Sequence, residues 1–306
     1  MSMIGAVDIG GTKVSVGAAS ADGKIIHQRE CPTDPERGFA VSMLRIQQML
    51  HEVVDICGKI DGVGICCPGP LDPFTGIIGE VGTLPGWQGG NLAEHFQQEF
   101  GLTVAVENDA DAAALAEYKW GAGKGSESFI YITISTGIGG GIVLNGRLYR
   151  GGKGAHPEIG HQILDDSGPL CYCGARGCWE SLASGTAMSA WMRQIAPELE
   201  PRTAEEICNA ARRGEDLALR ATARESYYLG LGLANIITLF TPDAICLGGG
   251  VMKSSELFLE EAGKIVKKYC TQVPVDGTRI MLSTLGPQAG LLGAAVAWTQ
   301  RFASTR

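Results

Sequence analysis

The strongest constraint on this fold is an opening that the chain uses twice: a strand, a glycine turn, a second strand and a hairpin dipeptide. In the first pass Ile4–Asp8 is apolar, Gly10-Gly11 makes a turn, Lys13–Ala19 alternates, and Asp22-Gly23 signals a hairpin into a third strand near Lys24–Cys31. Ile46, Met49, Leu50, Val53, Val54 and Cys57 then recur at the spacing of one buried helix face. Val63–Cys67 is a short strand closed by Pro68-Gly69-Pro70, Asn91–Phe100 a helix, Val104–Glu107 a strand, and Ala110–Trp120 an alanine-rich helix. This first pass reads βββαβαβα. The second begins with a strand over Ser128–Ser135, a turn over Gly137–Gly141, a strand over Gly141–Leu144 and the hairpin dipeptide Asn145-Gly146. Helices follow over Ala183–Ile195, Ala204–Arg213 and Asp216–Phe240, the second opened by a Thr203/Glu206 capping box. Ala244–Leu247 is a strand ending in Gly248-Gly249-Gly250, Ser255–Tyr269 a helix, Arg279–Thr284 a strand and Ala289–Arg301 a last helix. Two such passes predict a duplicated α/β unit with a cleft between the copies.

A chain of 306 residues suits two lobes better than one small core. Its net charge of −8 argues against nucleic acid held on a general basic surface. The start MSMIGAVDIGG lacks a basic region followed by a long apolar run, so no secretory signal is expected. The greasiest segment, Tyr227–Phe240, is too short to span a bilayer and carries Asn235 and Thr238; it reads as a buried helix, and no membrane partner is expected. Of ten cysteines, Cys31, Cys57, Cys66, Cys67, Cys208, Cys246 and Cys270 are scattered among apolar residues and read as small hydrophobes. Scattered thiols without an export signal point to a reducing cytoplasm. His27, His51, His95 and His156 read as structural or solvated, and the helix carrying Glu205, Glu206, Arg212 and Arg213 as a solvated face.

The remaining three cysteines gather with a histidine. In HPEIGHQILDDSGPLCYCGARGCWES, His161, Cys171, Cys173 and Cys178 form the ligand set that tetrahedral zinc favours, bracketed by Glu158 and Glu180. A disulfide or chance clustering are the alternatives; a reducing compartment opposes the first and the dense spacing the second. With four protein ligands such a site is closed and structural. If one imidazole nitrogen of His161 binds metal, the other N–H is left to donate to a ligand oxygen.

Asp8-Ile9-Gly10-Gly11-Thr12-Lys13 lies between two strands, where glycine lets backbone amides approach a phosphate, Thr12 and Lys13 add donors, and Asp8 could hold hydrated Mg²⁺. An ordinary glycine hairpin is the alternative. Ser135–Gly141 repeats the design, and Leu247–Val251 ends a strand where a base and ribose could lie. None fits the P-loop or the dinucleotide fingerprint. Asn108-Asp109 opens a helix; it suits an N-cap pair, and also a carboxylate kept ionised beside a substrate, ready to accept a proton from an attacking hydroxyl.

Taken together, DIGGTK (Asp8–Lys13), Pro68-Gly69-Pro70, Asn108-Asp109, STGIGGG (Ser135–Gly141), EIGH (Glu158–His161), CYCGARGCWE and Leu247–Val251 resemble the ROK family of sugar kinases and repressors, over nearly the whole chain. The resemblance implies a two-lobed, actin-like (ribonuclease H-like) duplicated βββαβαβα fold of α/β class with an ATP/sugar cleft. The small lobe would comprise residues 1–109 with the C-terminal helix, about 289–306, and the large lobe residues 110–288 with the zinc loop. It implies Asp109 as catalytic base, and Asn108, Glu158, His161, Glu180 and Gly69 as sugar-binding residues. Asp8, Gly10, Gly11, Thr12, Lys13, Thr136 and Gly137 would serve ATP's phosphates, Gly249 and Gly250 its adenosine side, and His161, Cys171, Cys173 and Cys178 a structural Zn²⁺. Mg²⁺ would come and go with ATP, and a homodimer or homotetramer is expected. The repressor branch carries an N-terminal helix-turn-helix, for which a chain starting almost at its first strand has no room. The expectation is therefore an ATP-dependent hexose kinase. Leu84-Pro85-Gly86-Trp87 is similar to a run of the family's glucokinases, with Gly82-Thr83 where those usually carry Asn. Glucose comes first, with N-acetylmannosamine, N-acetylglucosamine, fructose and mannose behind it. A non-catalytic sugar sensor is the reading from another class.

Overall fold

A computed structural model describes residues 3–302. Its elements in chain order are β1 (Met3–Ile9), β2 (Lys13–Ser20), β3 (Ile25–Pro32), α1 (Phe39–Cys57), β4 (Gly62–Cys67), α2 (Leu92–Phe100), β5 (Val104–Asn108) and α3 (Asp109–Trp120). They continue with β6 (Ser128–Ile134), β7 (Ile138–Leu144), β8 (Arg147–Leu148), α4 (Trp179–Ala183), α5 (Gly185–Ile195), α6 (Ala204–Arg212), α7 (Asp216–Phe240), β9 (Ala244–Gly248), α8 (Leu259–Tyr269), β10 (Arg279–Leu282) and α9 (Ala289–Phe302). One sheet has the order β3-β2-β1-β4-β5 and the other β10-β9-β6-β7-β8. Read from its far edge, the second repeats the first strand for strand, so the duplicated α/β fold expected of an actin-like chain is the one observed.

The chain divides into two compact units, one formed by residues up to Gly125, Gly141–Pro157 and Thr284 onward, the other by Ser126–Gly140 and Glu158–Ser283. In the first unit β1 pairs antiparallel with β2 and parallel with β4, and β4 pairs parallel with β5. Strands parallel on both sides need helices on both faces. Val7, Ile65 and Val106 meet α1 and α2 in one core, while Ala6, Cys66 and Ala105 meet α3 and α9 in another. α9 lies close on the sheet because β4 carries Gly64, where a Cβ would run into the Ala294 carbonyl. Here Glu117 of α3 is fully buried, and its carboxylate accepts from the amides of Ala122, Thr284 and Leu285 and from the Thr284 hydroxyl. It ties the start of the C-terminal segment to α3.

In the second unit β9 pairs parallel with both β6 and β10. Asp243, at the entry to β9, accepts from the amides of Glu127 and Ser128 and fixes the entry to β6. The long α7 buries Leu229, Leu233, Ile236 and Ile237, and Trp179 is fully buried against its Gly232. No helix among the described residues is long and apolar enough to cross a membrane.

Several boundaries differ from the sequence reading. Gly137–Gly141 is not a turn: the turn ends at Gly137 and β7 begins at Ile138. The glycines there are strand residues packed against neighbours, for a Cβ on Gly140 would meet Ile159 and the Tyr131 carbonyl. The helix expected over Ala183–Ile195 is two, because Ser184 leaves helical geometry and caps the second by accepting from the Ala187 amide at 3.1 Å. The helix expected from Ser255 starts at Leu259, since Val251–Leu257 winds as a 3-10 segment.

Candidate functional site

In the first unit β1, β5 and α3 bring one group of predicted residues together. Asn108 ends β5 and caps α3, its side-chain oxygen accepting from the amides of Ala110 (2.8 Å) and Asp111 (3.2 Å). The capping reading of Asn108 is therefore correct, and its amide nitrogen remains as a donor, next to Gly69. Asp109 also accepts from the Ala110 amide, at 2.8 Å. Burial raises the Asp109 pKa, while the Ala110 amide and His156 pull it down and Asp111 pushes it up. Asp8, at the end of β1, is pushed up to about 6, chiefly by burial; the Cys66 thiol donates to it at 3.2 Å and Asp109 lies within electrostatic range.

The loop from Gly10 to Lys13 is a hairpin turn, with the Gly10 amide bonded to the Lys13 carbonyl at 2.8 Å. Thr12 and Lys13 are exposed. Lys13 Nζ pairs with Glu30 at 2.6 Å, so its charge is shared with the neighbouring strand. Around α3 lies a network that sequence reasoning missed. Glu107, nearly fully buried, forms a two-pronged ion pair with Arg150. Asp111, with no exposure, faces His156 Nδ1 at 2.9 Å and Arg150 at 3.9 Å. His156 is thus a half-buried partner of a carboxylate two residues from Asp109, the structural rather than the solvated of its two readings.

In the second unit the other group gathers. Glu180, in the first turn of α4, accepts from the Ile138 amide at 2.8 Å, and a Cβ on Gly137 would collide with that carboxylate. One Glu180 oxygen therefore anchors the second glycine loop. Glu158 is exposed directly before the turn that carries His161.

One donor atom from each of His161, Cys171, Cys173 and Cys178 lies within 4.8 Å of all the others. His161 Nδ1 is 3.6 Å from Cys171 Sγ, and the sulfurs of Cys173 and Cys178 are 3.6 Å apart as free thiols. Zinc–sulfur bonds of ~2.3 Å give a tetrahedral edge of about 3.8 Å. The donor set thus fits zinc, and Nδ1 is the imidazole nitrogen turned to it. Nε2 faces outward and lies 2.9 Å from the hydroxyl of Tyr172. Tyr172 also senses both carboxylates: its phenol is pushed up to about 12, first by burial and then by Glu180 and Glu158. No sequence signal beyond its place between two cysteines marked it.

Thr136 and Gly250 share a cavity of about 610 Å³, also lined by Gly185, Thr186, Glu205, Asn209, Arg212 and Lys253. Gly249, beside it, holds a φ of 92°. α6 supplies one wall through Glu205, Cys208, Asn209 and Arg212, while Glu205, Glu206, Arg212 and Arg213 are all exposed, the solvated face that its charges suggested. Leu84 and Trp87 are buried core residues.

The ROK family model matches residues 4–301. The glucokinase of Thermotoga maritima is 34% identical, with 96% of each chain covered. A ROK hexokinase structure from Thermus thermophilus superposes with a TM-score of 0.85 at 34% identity, covering 96% of this chain and 97% of that one. A ROK glucokinase from Streptomyces griseus, solved with glucose and AMPPNP, gives 0.81 at 32% identity, covering 96% and 98%. This chain belongs to the ROK family.

Proposed function

We propose that this chain transfers the terminal phosphoryl group of ATP to a hydroxyl of a hexose, glucose before the others. The observation that carries the reading is Asp109. It is an enclosed carboxylate at the first turn of α3, with its backbone fixed by the Asn108 cap. A carboxylate so placed accepts the proton of a sugar hydroxyl as that oxygen bonds to phosphorus and ADP leaves. Asn108, Gly69, Glu158, His161 and Glu180 would bind sugar hydroxyls. Gly10, Gly11, Thr12, Lys13, Thr136 and Gly137 would receive phosphate oxygens, and Gly249 and Gly250, with the adjoining cavity, the adenosine. Mg²⁺ arriving with ATP would be held through water by Asp8 and would neutralise phosphate charge. Zinc, held by His161, Cys171, Cys173 and Cys178, would brace the loop and fix the outward edge of His161.

The Streptomyces griseus complex with glucose and AMPPNP supports both substrates, and the Leu84–Trp87 run favours glucose over N-acetylmannosamine, N-acetylglucosamine and fructose. A cytoplasmic homodimer or homotetramer completes the proposal. ATP-coupled turnover against a panel of hexoses and N-acetylhexosamines tests it, with Asp109→Ala as control. Turnover on glucose that Asp109→Ala abolishes is the expected result. Sugar binding without turnover on any sugar would replace the kinase by a sensor.

A further inference from the structure

The edge of His161 that faces away from the cysteines is already occupied. Its Nε2 lies 2.9 Å from the hydroxyl of Tyr172, and the two rings meet edge to face, with centroids 5.1 Å apart at 81°. Tyr172 rises from a tight turn. The Gly174 amide donates to the Cys171 carbonyl at 3.0 Å, and the Cys171 amide to the Ala175 carbonyl at 2.8 Å. The cysteines on either side, Cys171 and Cys173, both belong to the zinc-type donor set. The stem of the side chain is thus fixed, while Tyr172 is 83% exposed and its ring can turn about two torsions. Little besides His161 holds the hydroxyl where it is. The same phenol lies within electrostatic range of Glu180 and Glu158. All three residues of this unit proposed to bind sugar therefore have one hydroxyl of the chain's own beside them.

An imidazole whose Nδ1 is turned to a metal keeps one proton, on Nε2. Two oxygens cannot both stand in line with that single N–H at hydrogen-bond distance. The Tyr172 hydroxyl and a sugar hydroxyl bound by His161 therefore exclude each other. We infer that Tyr172 is a gate on the sugar site: its hydroxyl stands in for a sugar hydroxyl in the free protein, and the ring swings out on its fixed stem when a hexose binds. The inference rests on the proposed placing of sugar at Glu158, His161 and Glu180. It adds a residue that sets affinity without touching the bound sugar. A site that is open for only a fraction of the time binds with its intrinsic Kd divided by that fraction. One net hydrogen bond of ordinary strength keeps the gate closed in most molecules, so that roughly a tenth to a third stand open.

The test measures glucose binding by titration calorimetry on zinc-loaded protein without nucleotide, and coupled turnover beside it, in the wild type, Tyr172→Phe, Tyr172→Ala and Glu158→Gln. Tyr172→Phe keeps the ring and removes the competing hydroxyl. Its Kd for glucose falls by about three- to tenfold. The sugar KM falls with it and kcat stays, because Tyr172 has left the site before phosphoryl transfer. Tyr172→Ala removes the ring as well and binds at least as tightly, with zinc content and melting temperature showing that the loop is intact. Glucose binding that is unchanged or weaker in Tyr172→Phe overturns the inference, the weaker case making Tyr172 a direct sugar ligand. Glu158→Gln separates this failure from that of the reading beneath it. Weakened binding in Glu158→Gln with wild-type binding in Tyr172→Phe removes only the gate. Wild-type binding in both, or no glucose binding by any of the four proteins, removes the sugar placement and the gate together.

Discussion

Replacing Asp109 by Asn should make the protein markedly less active and at the same time more stable. Asn keeps the side-chain oxygen that accepts from the Ala110 amide at 2.8 Å, and Asn108 still caps α3, so the local backbone has no reason to move. What is lost is a group able to take a proton. General-base catalysis is worth about 10²–10⁴ in rate, or about 3–5 kcal/mol of barrier, and kcat should fall by that factor with little change in sugar affinity. The stability effect has the opposite sign. Burial raises the Asp109 pKa above its unfolded value, so the ionised carboxylate costs folding free energy at every pH above that unfolded value. The cost disappears as pH falls and both states become protonated. Asn carries no such charge, so the melting temperature at neutral pH should rise, and the gap to wild type should close in acid. The same raised pKa sets the wild-type pH profile: kcat/KM falls on the acidic side, with a limb above the ordinary carboxylate range, because the base must be ionised. Coupled turnover and thermal melts from pH 5 to 8 read all three. A kcat within tenfold of wild type, or a melting temperature that drops, would refute the assignment.

Three further outcomes are expected. Metal analysis should find about one zinc per chain; Cys178→Ser should lose it, and limited proteolysis should then cut between residues 161 and 178, since structural zinc is worth about 10–16 kcal/mol to small sites. Glu117→Ala should cost about 3 kcal/mol or more in urea unfolding, because three amides and a hydroxyl lose their buried acceptor; Glu117→Gln should cost less. Gly137→Ala places a methyl group against the Glu180 carboxylate; KM for the sugar should rise by about tenfold or more, whereas the same change at Gly263, which meets nothing nearby, should leave KM alone.

What the sequence made legible is what is set locally. The I′-type hairpin at Asn145-Gly146 is present, with φ of 50° and 76°, and the Thr203–Glu206 capping box closes as its spacing implies. The zinc-type donor set was legible too, since Cys171, Cys173 and Cys178 lie close along the chain and His161 is ten residues away. Interactions with partners from distant segments were not legible. Arg150 reaches Glu107 across 43 residues, and nothing near either residue announces the other. His156 stayed open between structural and solvated because its partner Asp111 sits on a helix that, by composition, is simply rich in alanine. The glycines of β7 were taken for a turn because a glycine run looks the same whether the backbone bends or a neighbour presses on it.

In the first unit, three carboxylates, Glu107, Asp109 and Asp111, cluster with Arg150 and His156. Replacing His156 by a neutral side chain should therefore act on Asp109 by raising its pKa further. A variant such as His156→Gln should accordingly shift the acidic limb of kcat/KM upward.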